Sequence, residues 1–360
     1  MRHYDKVRVG GDESEEEMQA ALITGKERLE LVEFPDPSPA PAGVVVDVAF
    51  CGICGTDIHA YQSGEPYNPA ICGHEWAGTI SAAGSDVTSL SDGDRVVVAV
   101  APSCGSCAAC RRGQADRCQV SFMSAVGADP LAPPHGGFAS RIAVAADRVV
   151  KTDAGLSDEQ AAQVEPTTVA FHAVRNSPPR LGDTAVVQGA GPIGLATMQW
   201  VRAAGAGHLV VIEPDAERRA LALSLGADHA IEPTVADRLL KELTHGLGAD
   251  IVYECVGRPF AVQAAVDLAR RGGTMCLIGL AHGDVRISPS AWLVKEISVR
   301  SSLAYFHEDF EMSMGMIVDG RIAVEPLHTS TIGLDGLDGM LGALSGGGSD
   351  QIKVLVDPRA

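Results

Sequence analysis

The sequence predicts an α/β fold in which a doubly wound parallel sheet is inserted in a mostly β domain, and three observations carry that expectation. Short apolar runs separated by turns fill the first part of the chain; from Asp183 strand-like and helix-like segments alternate; and the closing segment Gln351-Ile-Lys-Val-Leu-Val-Asp-Pro358 reads as one more strand of the first kind. At 360 residues and 46% hydrophobic content the chain is long enough for two cores. Forty glycines and only 4% aromatics suit a protein of many tight turns.

Residues 1–17 end in the run Asp12-Glu13-Ser14-Glu15-Glu16-Glu17, which cannot bury apolar surface and is expected to be a mobile extension. From Met18 the runs MQAALI, LELVEF, VVVDVAF, GTISAAG and DRVVVAV read as strands, with a proline-rich loop at 35–41 and a turn at Ser91-Asp92-Gly93-Asp94. The third of these feeds Cys51-Gly-Ile-Cys54-Gly-Thr56-Asp57-Ile-His59, and twenty residues past Cys54 stand His74 and Glu75. Thiolate, imidazole and carboxylate form a mixed set that a borderline-soft ion such as zinc accepts, and three protein ligands with an open position make a catalytic site. Interleaved are Thr56, a hydroxyl that could sit beside a metal-bound oxygen; Asp57, a partner for a ligating imidazole; and His59, which could pass a proton outward. Taken singly, Cys51 is a buried small hydrophobe, Thr56 a turn residue and His59 a solvated loop histidine; the clustering gives them a reading as a site.

Cys104, Cys107, Cys110 and Cys118 fall within fifteen positions, a set able to close an all-sulfur zinc site that shapes a loop without reacting. The first three also fit an iron-sulfur spacing, but there the fourth cysteine follows after three residues and precedes proline, whereas seven residues intervene here and Gln119 follows. A loop over Phe122–Gly137, whose His135 reads equally as a site residue or a surface one, precedes two more strand-like runs and is a candidate lining for a substrate pocket together with Tyr305-Phe306. At Ser157 a capping box with Gln160 opens a helical stretch running on through AAQVEPTTVAFHAV. Within it, Glu165 is a carboxylate in apolar surroundings that needs a partner, which the open metal position would supply directly or through water.

Asp183 to Glu213 reads strand, turn, helix, strand: AVVQ, then Gly189-Ala190-Gly191-Pro192-Ile193-Gly194, then LATMQWVRAAG, then HLVVIE. That order is the Rossmann dinucleotide fingerprint, whose glycines let a pyrophosphate approach a helix N-terminus. The acid twenty-four residues past Gly189, Glu213, would accept hydrogen bonds from ribose hydroxyls and repel a 2′-phosphate, favouring NAD, although Arg218 could pair with a phosphate. The window Thr184–Val201 is free of charge but holds two glutamines, a proline and three glycines, so it reads as buried strand, turn and helix and not as a membrane span. From about Ser302 the pattern changes, with FEMSMGMIVDG as an amphipathic helix. The expected division is 18–160 with 304–360 as a catalytic zinc-binding domain and 161–303 as the NAD-binding Rossmann domain, the metal lying in the cleft between them.

A net charge of −18 without clustered Lys and Arg excludes nucleic acid and anionic membrane as partners. The start of the chain lacks an apolar leader, which makes the cytoplasm the default, and nine cysteines argue for metal or redox use before disulfides.

Together GICGTDIH, GHEWAG, the four-cysteine lobe, GAGPIG and KVLVDP resemble, in order and spacing, the zinc-dependent medium-chain alcohol dehydrogenase family from Met18 to Pro358. Glu165 in VEPTTVAFHAV is similar to the polyol branch of sorbitol, butanediol and threonine dehydrogenases. The resemblance implies a GroES-like catalytic domain, a catalytic zinc on Cys54, His74 and Glu75 with Glu165 as fourth ligand or water-mediated neighbour, and a structural zinc on the lobe. It implies that Thr56 and His59 form a proton relay, that Asp57 orients the ligating histidine, and that Ile193, Val256, Leu280 and Ser302 lie near the nicotinamide. It also implies a homodimer or homotetramer oxidising a small alcohol or polyol with NAD+. Two rival readings are a zinc-free quinone or enone reductase on the same fold, against which Cys54, His74 and Glu75 stand, and a non-catalytic NAD-binding protein, against which Thr56 and His59 stand.

Overall fold

The computed structural model describes residues 17–65, 67–347 and 349–360, so the expected extension lies outside the described residues except for Glu17, which opens the first strand. β1 (Glu17–Gly25) and β2 (Arg28–Pro35) form an antiparallel hairpin beside a larger sheet. That sheet is built on β3 (Gly43–Gly52), whose valine-rich sequence is buried along nearly its whole length because it has neighbours on both edges. β3 runs directly into α1 (Gly55–Ser63), with Cys54 as the N-cap and Gly64 as a left-handed C-cap. A side chain at Gly64 would collide with the backbone of Lys26, so the helix ends against the β1–β2 turn.

β4 (Glu75–Ala83) pairs with β3, and β5 (Arg95–Val98) pairs with β4. The cysteine lobe and α2 (Gln119–Ala125) follow as an excursion, after which β6 (Arg141–Ala145) returns to β3 and β7 (Val149–Lys151) to β5. The capping box at Ser157 and Gln160 forms as expected and opens α3 (Asp158–Ala161). The helix does not run on from there, a correction to the continuous stretch expected. It restarts as α4 (Val164–Asn176), because the Pro166 nitrogen has no hydrogen for the Ala162 carbonyl and is tolerated only in a first turn. The restart puts Glu165 in the first turn of α4, buried and at the positive end of the helix dipole.

The second sheet is parallel throughout, alternating strands and helices: β8 (Thr184–Gln188), α5 (Pro192–Ala203), β9 (His208–Ile212), α6 (Ala216–Ser224), β10 (His229–Ile231), α7 (Ala236–Leu243), β11 (Ala249–Glu254), α8 (Pro259–Leu268), β12 (Ala269–Leu277), α9 (Pro289–Lys295) and β13 (Ser298–Ser301). Its order is β10-β9-β8-β11-β12-β13, so the winding reverses between β8 and β11, the place where such sheets bind ligands at their carboxyl ends. α4 and α5 cover one face with Val187, Val211 and Tyr253, while α7 and α8 cover the other with Val186, Val252 and Met275.

α10 (Asp309–Val318) then packs on α4, where Asp309 Oδ2 receives His172 Nδ1 at 2.9 Å and the Phe306 N–H at 2.9 Å, and Arg175 lies against its other oxygen. The chain returns to the first sheet through β14 (His328–Ile332), α11 (Leu337–Ser345) and β15 (Lys353–Val356), which pairs antiparallel with β3.

Candidate metal centre and cofactor cleft

The adjacent strands β3 and β4 bring together donors distant in sequence. Gly52 pairs with Glu75, which sets the end of β3, with Cys54 just beyond it, against the start of β4, with His74 just before it. The ligand atoms of Cys54, His74 and Glu75 all lie within 4.8 Å of one another. Glycine at 52 is part of the design, since a Cβ there would sit 2.2 Å from Glu75 Oε2 and force the carboxylate aside. His74 Nδ1 is held 2.8 Å from the Ile71 carbonyl, which leaves Nε2 as the nitrogen for a cation. Asp57 was expected to orient this imidazole. Its fully buried carboxylate instead accepts the N–H groups of Cys54 at 2.8 Å and Gly73 at 2.9 Å, so it ties the two ligand-bearing loops together through their backbones.

The field at this point suits a cation. Burial lowers the His74 proton affinity, but the Cys54 thiolate and the carboxylates of Glu165 and Asp57 overcome it and push the imidazole pKa well upward. Burial also raises the Glu165 pKa to about 7, with His74 opposing and Glu75 adding to the rise. Lys353, on β15 and equally buried, places its Nζ 2.5 Å from Glu75 Oε2 and 3.0 Å from the Ile53 carbonyl. One ammonium among this many anionic donors leaves an excess of negative charge, which a divalent ion neutralises. Glu165 stands outside the tight trio, with the Tyr305 phenol beside it. Thr56 Oγ1 lies 3.6 Å from Cys54 Sγ, and His59 is half-buried farther along α1.

The cysteine lobe is a second donor set. Cys104, Cys107, Cys110 and Cys118 also lie mutually within 4.8 Å, with Cys107 Sγ 3.5 Å from Cys110 Sγ and 4.0 Å from Cys118 Sγ. A tetrahedron with zinc–sulfur bonds of normal length has edges of about 3.8 Å. The Ser106 hydroxyl and the backbone N–H groups of Ser106 and Cys107 lower the Cys104 thiol to about 6, while desolvation raises Cys110 to about 12. Thiolate-stabilising N–H···S bonds are what a metal-ready loop provides.

At the carboxyl end of the parallel sheet, Gly189 adopts φ 90°, Gly191 caps α5 with open space where a side chain would be, and Pro192 fills the first helical position. A Cβ at Gly194 would meet the Gly189 carbonyl at 2.0 Å, so only glycine lets helix and turn pack this closely. Ile193 is half-buried beside them. Glu213 follows β9 directly; its carboxylate accepts the Ala190 N–H at 2.7 Å and the Asp215 N–H at 3.0 Å. Arg218 has partners the sequence did not suggest: one nitrogen of its guanidinium donates to the carbonyls of Ser349 and Gln351. Val256 and Leu280 leave apolar surface exposed at the sheet's carboxyl edge, and the buried Ser302 hydroxyl has no hydrogen-bond partner among the described residues. An orphan hydroxyl beside exposed apolar side chains fits a flat, amide-bearing ring such as nicotinamide.

Other expectations need correction or addition. Of the two readings open for His135 the surface one falls: it is buried against Phe34, and burial lowers its pKa. Lys353 was missed, although a lysine entering the apolar run Val354-Leu355-Val356 was a visible sign of a buried charge. His282, whose ring stacks on His59, was also missed; nothing in its loop sequence marks it.

The same two-part organisation appears in known proteins. Residues 40–154 match the alcohol dehydrogenase GroES-like domain, and residues 192–319 the zinc-binding dehydrogenase domain. The chain is 32% identical over 333 residues to L-idonate 5-dehydrogenase of Vitis vinifera, covering 89% of each protein. It is similar to the crystal structure of 2R,3R-butanediol dehydrogenase from Bacillus subtilis, at 30% identity and a TM-score of 0.80, over 95% of this chain and 99% of that one. An alcohol dehydrogenase of Escherichia coli CFT073 solved with NADH is similar at 29% identity and a TM-score of 0.83, over 95% and 99% of the two chains.

Proposed function

The chain belongs to the zinc-dependent medium-chain alcohol dehydrogenase family, on its polyol side, and from that premise we propose that it oxidises a secondary alcohol, diol, sugar alcohol or hydroxy amino acid to the ketone or aldehyde with NAD+. When bound, zinc supplies a Lewis acid for an alcohol oxygen and the nicotinamide supplies a hydride acceptor. Cys54, His74 and Glu75 hold the catalytic ion, and Glu165 stands beside them as fourth ligand or as partner to a water. Cys104, Cys107, Cys110 and Cys118 hold a structural ion. Thr56 takes the alcohol proton, its hydroxyl able to accept and donate at once, and His59 passes that proton to solvent. Burial lowers the His59 pKa, so its ring is neutral and ready to accept near pH 7.

Gly189, Gly191, Pro192 and Gly194 seat the pyrophosphate at the α5 N-terminus, and Ile193, Val256, Leu280 and Ser302 flank the nicotinamide. Glu213 takes the ribose hydroxyls and disfavours a 2′-phosphate. A homodimer or homotetramer is supported by the exposed edge strand β13, which carries Val299, and by the uncovered Leu293 and Val294 of α9 and Leu303 just past the strand. The cytoplasm, a reducing compartment, suits nine unpaired cysteines of which five belong to the two donor sets.

The observation that carries this reading is the convergence of sulfur, nitrogen and oxygen donors within 4.8 Å. Its test is metal content together with NADH formation across secondary alcohols, vicinal diols, sugar polyols and β-hydroxy amino acids. Two zinc ions per chain and chelator-sensitive turnover of at least one class are expected; one zinc or fewer, or no turnover of any class, overturns it.

A further inference from the structure

Two imidazoles meet face to face where the parts of the chain carrying the two donor systems approach each other. His59, at the middle of α1, stacks on His282, in the loop that follows β12, with ring centroids 3.4 Å apart and planes 9° from parallel. The pair roofs a cavity of about 290 Å³ walled by Gln62 on one side and Arg258 and Pro259 on the other. The same loop carries Leu280, whose backbone lies against Gly257 at the end of β11. The stack therefore bridges α1, which is capped by Cys54 and bears Thr56 and His59, and the two loops at the carboxyl edge of the parallel sheet, over the crevice a dinucleotide occupies.

We propose that His282 is a positioning residue for proton release: by stacking on His59 it clasps the cleft over the cofactor and holds the relay imidazole at the cavity through which its proton leaves. The inference rests on the dehydrogenase reading above and adds to it a residue on the opposite wall. Parallel imidazoles in contact carry one positive charge readily and two poorly, so a proton arriving at His59 meets a neighbour that favours its departure. Burial and His282 both lower the His59 pKa, while Glu65 works the other way and Arg258 faces the same cavity. No bond other than those to the transferred proton changes.

The test uses the zinc-loaded full chain with His282→Ala and His282→Phe. In His282→Ala the limb of kcat/KM that rises with pH should move up by about half to one pH unit, and NADH should bind about two- to tenfold more weakly. In His282→Phe the limb should still move, because the like charge is gone, but NADH affinity should return, because the ring remains. The His59 imidazole titration, followed by NMR without alcohol, gives a readout independent of turnover. An upward shift there in His282→Ala, even in a protein that oxidises no alcohol, supports the stack while sinking the dehydrogenase reading. Normal turnover with an unmoved His59 titration and unchanged NADH affinity in His282→Ala overturns the proposal.

Discussion

The two donor clusters of this chain are assembled in opposite ways. The four-cysteine lobe draws every donor from one fifteen-residue segment, near the surface, and stabilises its thiolates with bonds from its own backbone and Ser106. The Cys54–His74–Glu75 cluster draws its donors from two strand ends, with Glu75 buried and Cys54 and His74 half-buried, and depends on charges delivered from far away: Glu165 on α4 and Lys353 on β15. A closed, local site resists change and does nothing else; an open site assembled from distant elements can be tuned, but each element must be in register for it to exist.

The difference predicts different failures. The largest effect should come from Cys54→Ser: turnover lower by about 10³-fold or more, one zinc lost per chain, and melting temperature little changed. Cys107→Ser should also lose one zinc but should lower the melting temperature by roughly 5 °C or more, because there the ion serves folding. Parallel metal analysis and calorimetry would break the comparison if both variants lost stability equally.

Next comes Lys353→Met. Removing the ammonium strands Glu75 as a buried unpaired carboxylate, which should cost about 3–5 kcal/mol in the metal-free protein and much less when zinc is present. Thermal unfolding with and without added zinc reads this directly, and equal losses in the two states would show that Lys353 does not answer to the metal site. A smaller effect is expected from Gly52→Ala. Its methyl displaces the Glu75 carboxylate, so turnover should fall by about 10- to 100-fold, with some loss of stability in the metal-free protein because the displaced oxygen is the one Lys353 holds. Gly105→Ala in the lobe meets no neighbour but sits at φ 68°, and should cost only about 1 kcal/mol of stability with normal turnover.

The smallest effect concerns pH. Burial lowers the His135 pKa below its ordinary 6.5, so the unfolded chain binds the extra proton first as pH drops. Stability should be complete above pH 6.5 and decline below it, and urea midpoints for His135→Gln should show a shallower decline than wild type between pH 7 and 5. An unchanged slope would mean that the Phe34–His135 contact opens to water.

How much could be read without coordinates follows the same division. The cysteine spacing, the glycine turn with its flanking strands and the Ser157 capping box are short-range patterns, and each forms where the residues put it. Readings that needed a partner's position went astray. Asp57 bonds backbone, not imidazole, and the helix through Glu165 breaks where Pro166 withdraws a donor; the carbonyls of Ser349 and Gln351 that meet Arg218 had no sign in the sequence.

By itself, then, the sequence determined the kinds of donor, the elements bearing them and the glycines without which those elements could not pack, because spacing along a chain controls local hydrogen bonding and steric fit directly. Only the tertiary structure decided that Lys353 meets Glu75 across 278 positions, that Asp309 joins α10 to His172 on α4, and that His59 faces His282. Charge and ring contacts of that kind depend on strand register and helix docking, which many side chains set together and no short stretch encodes.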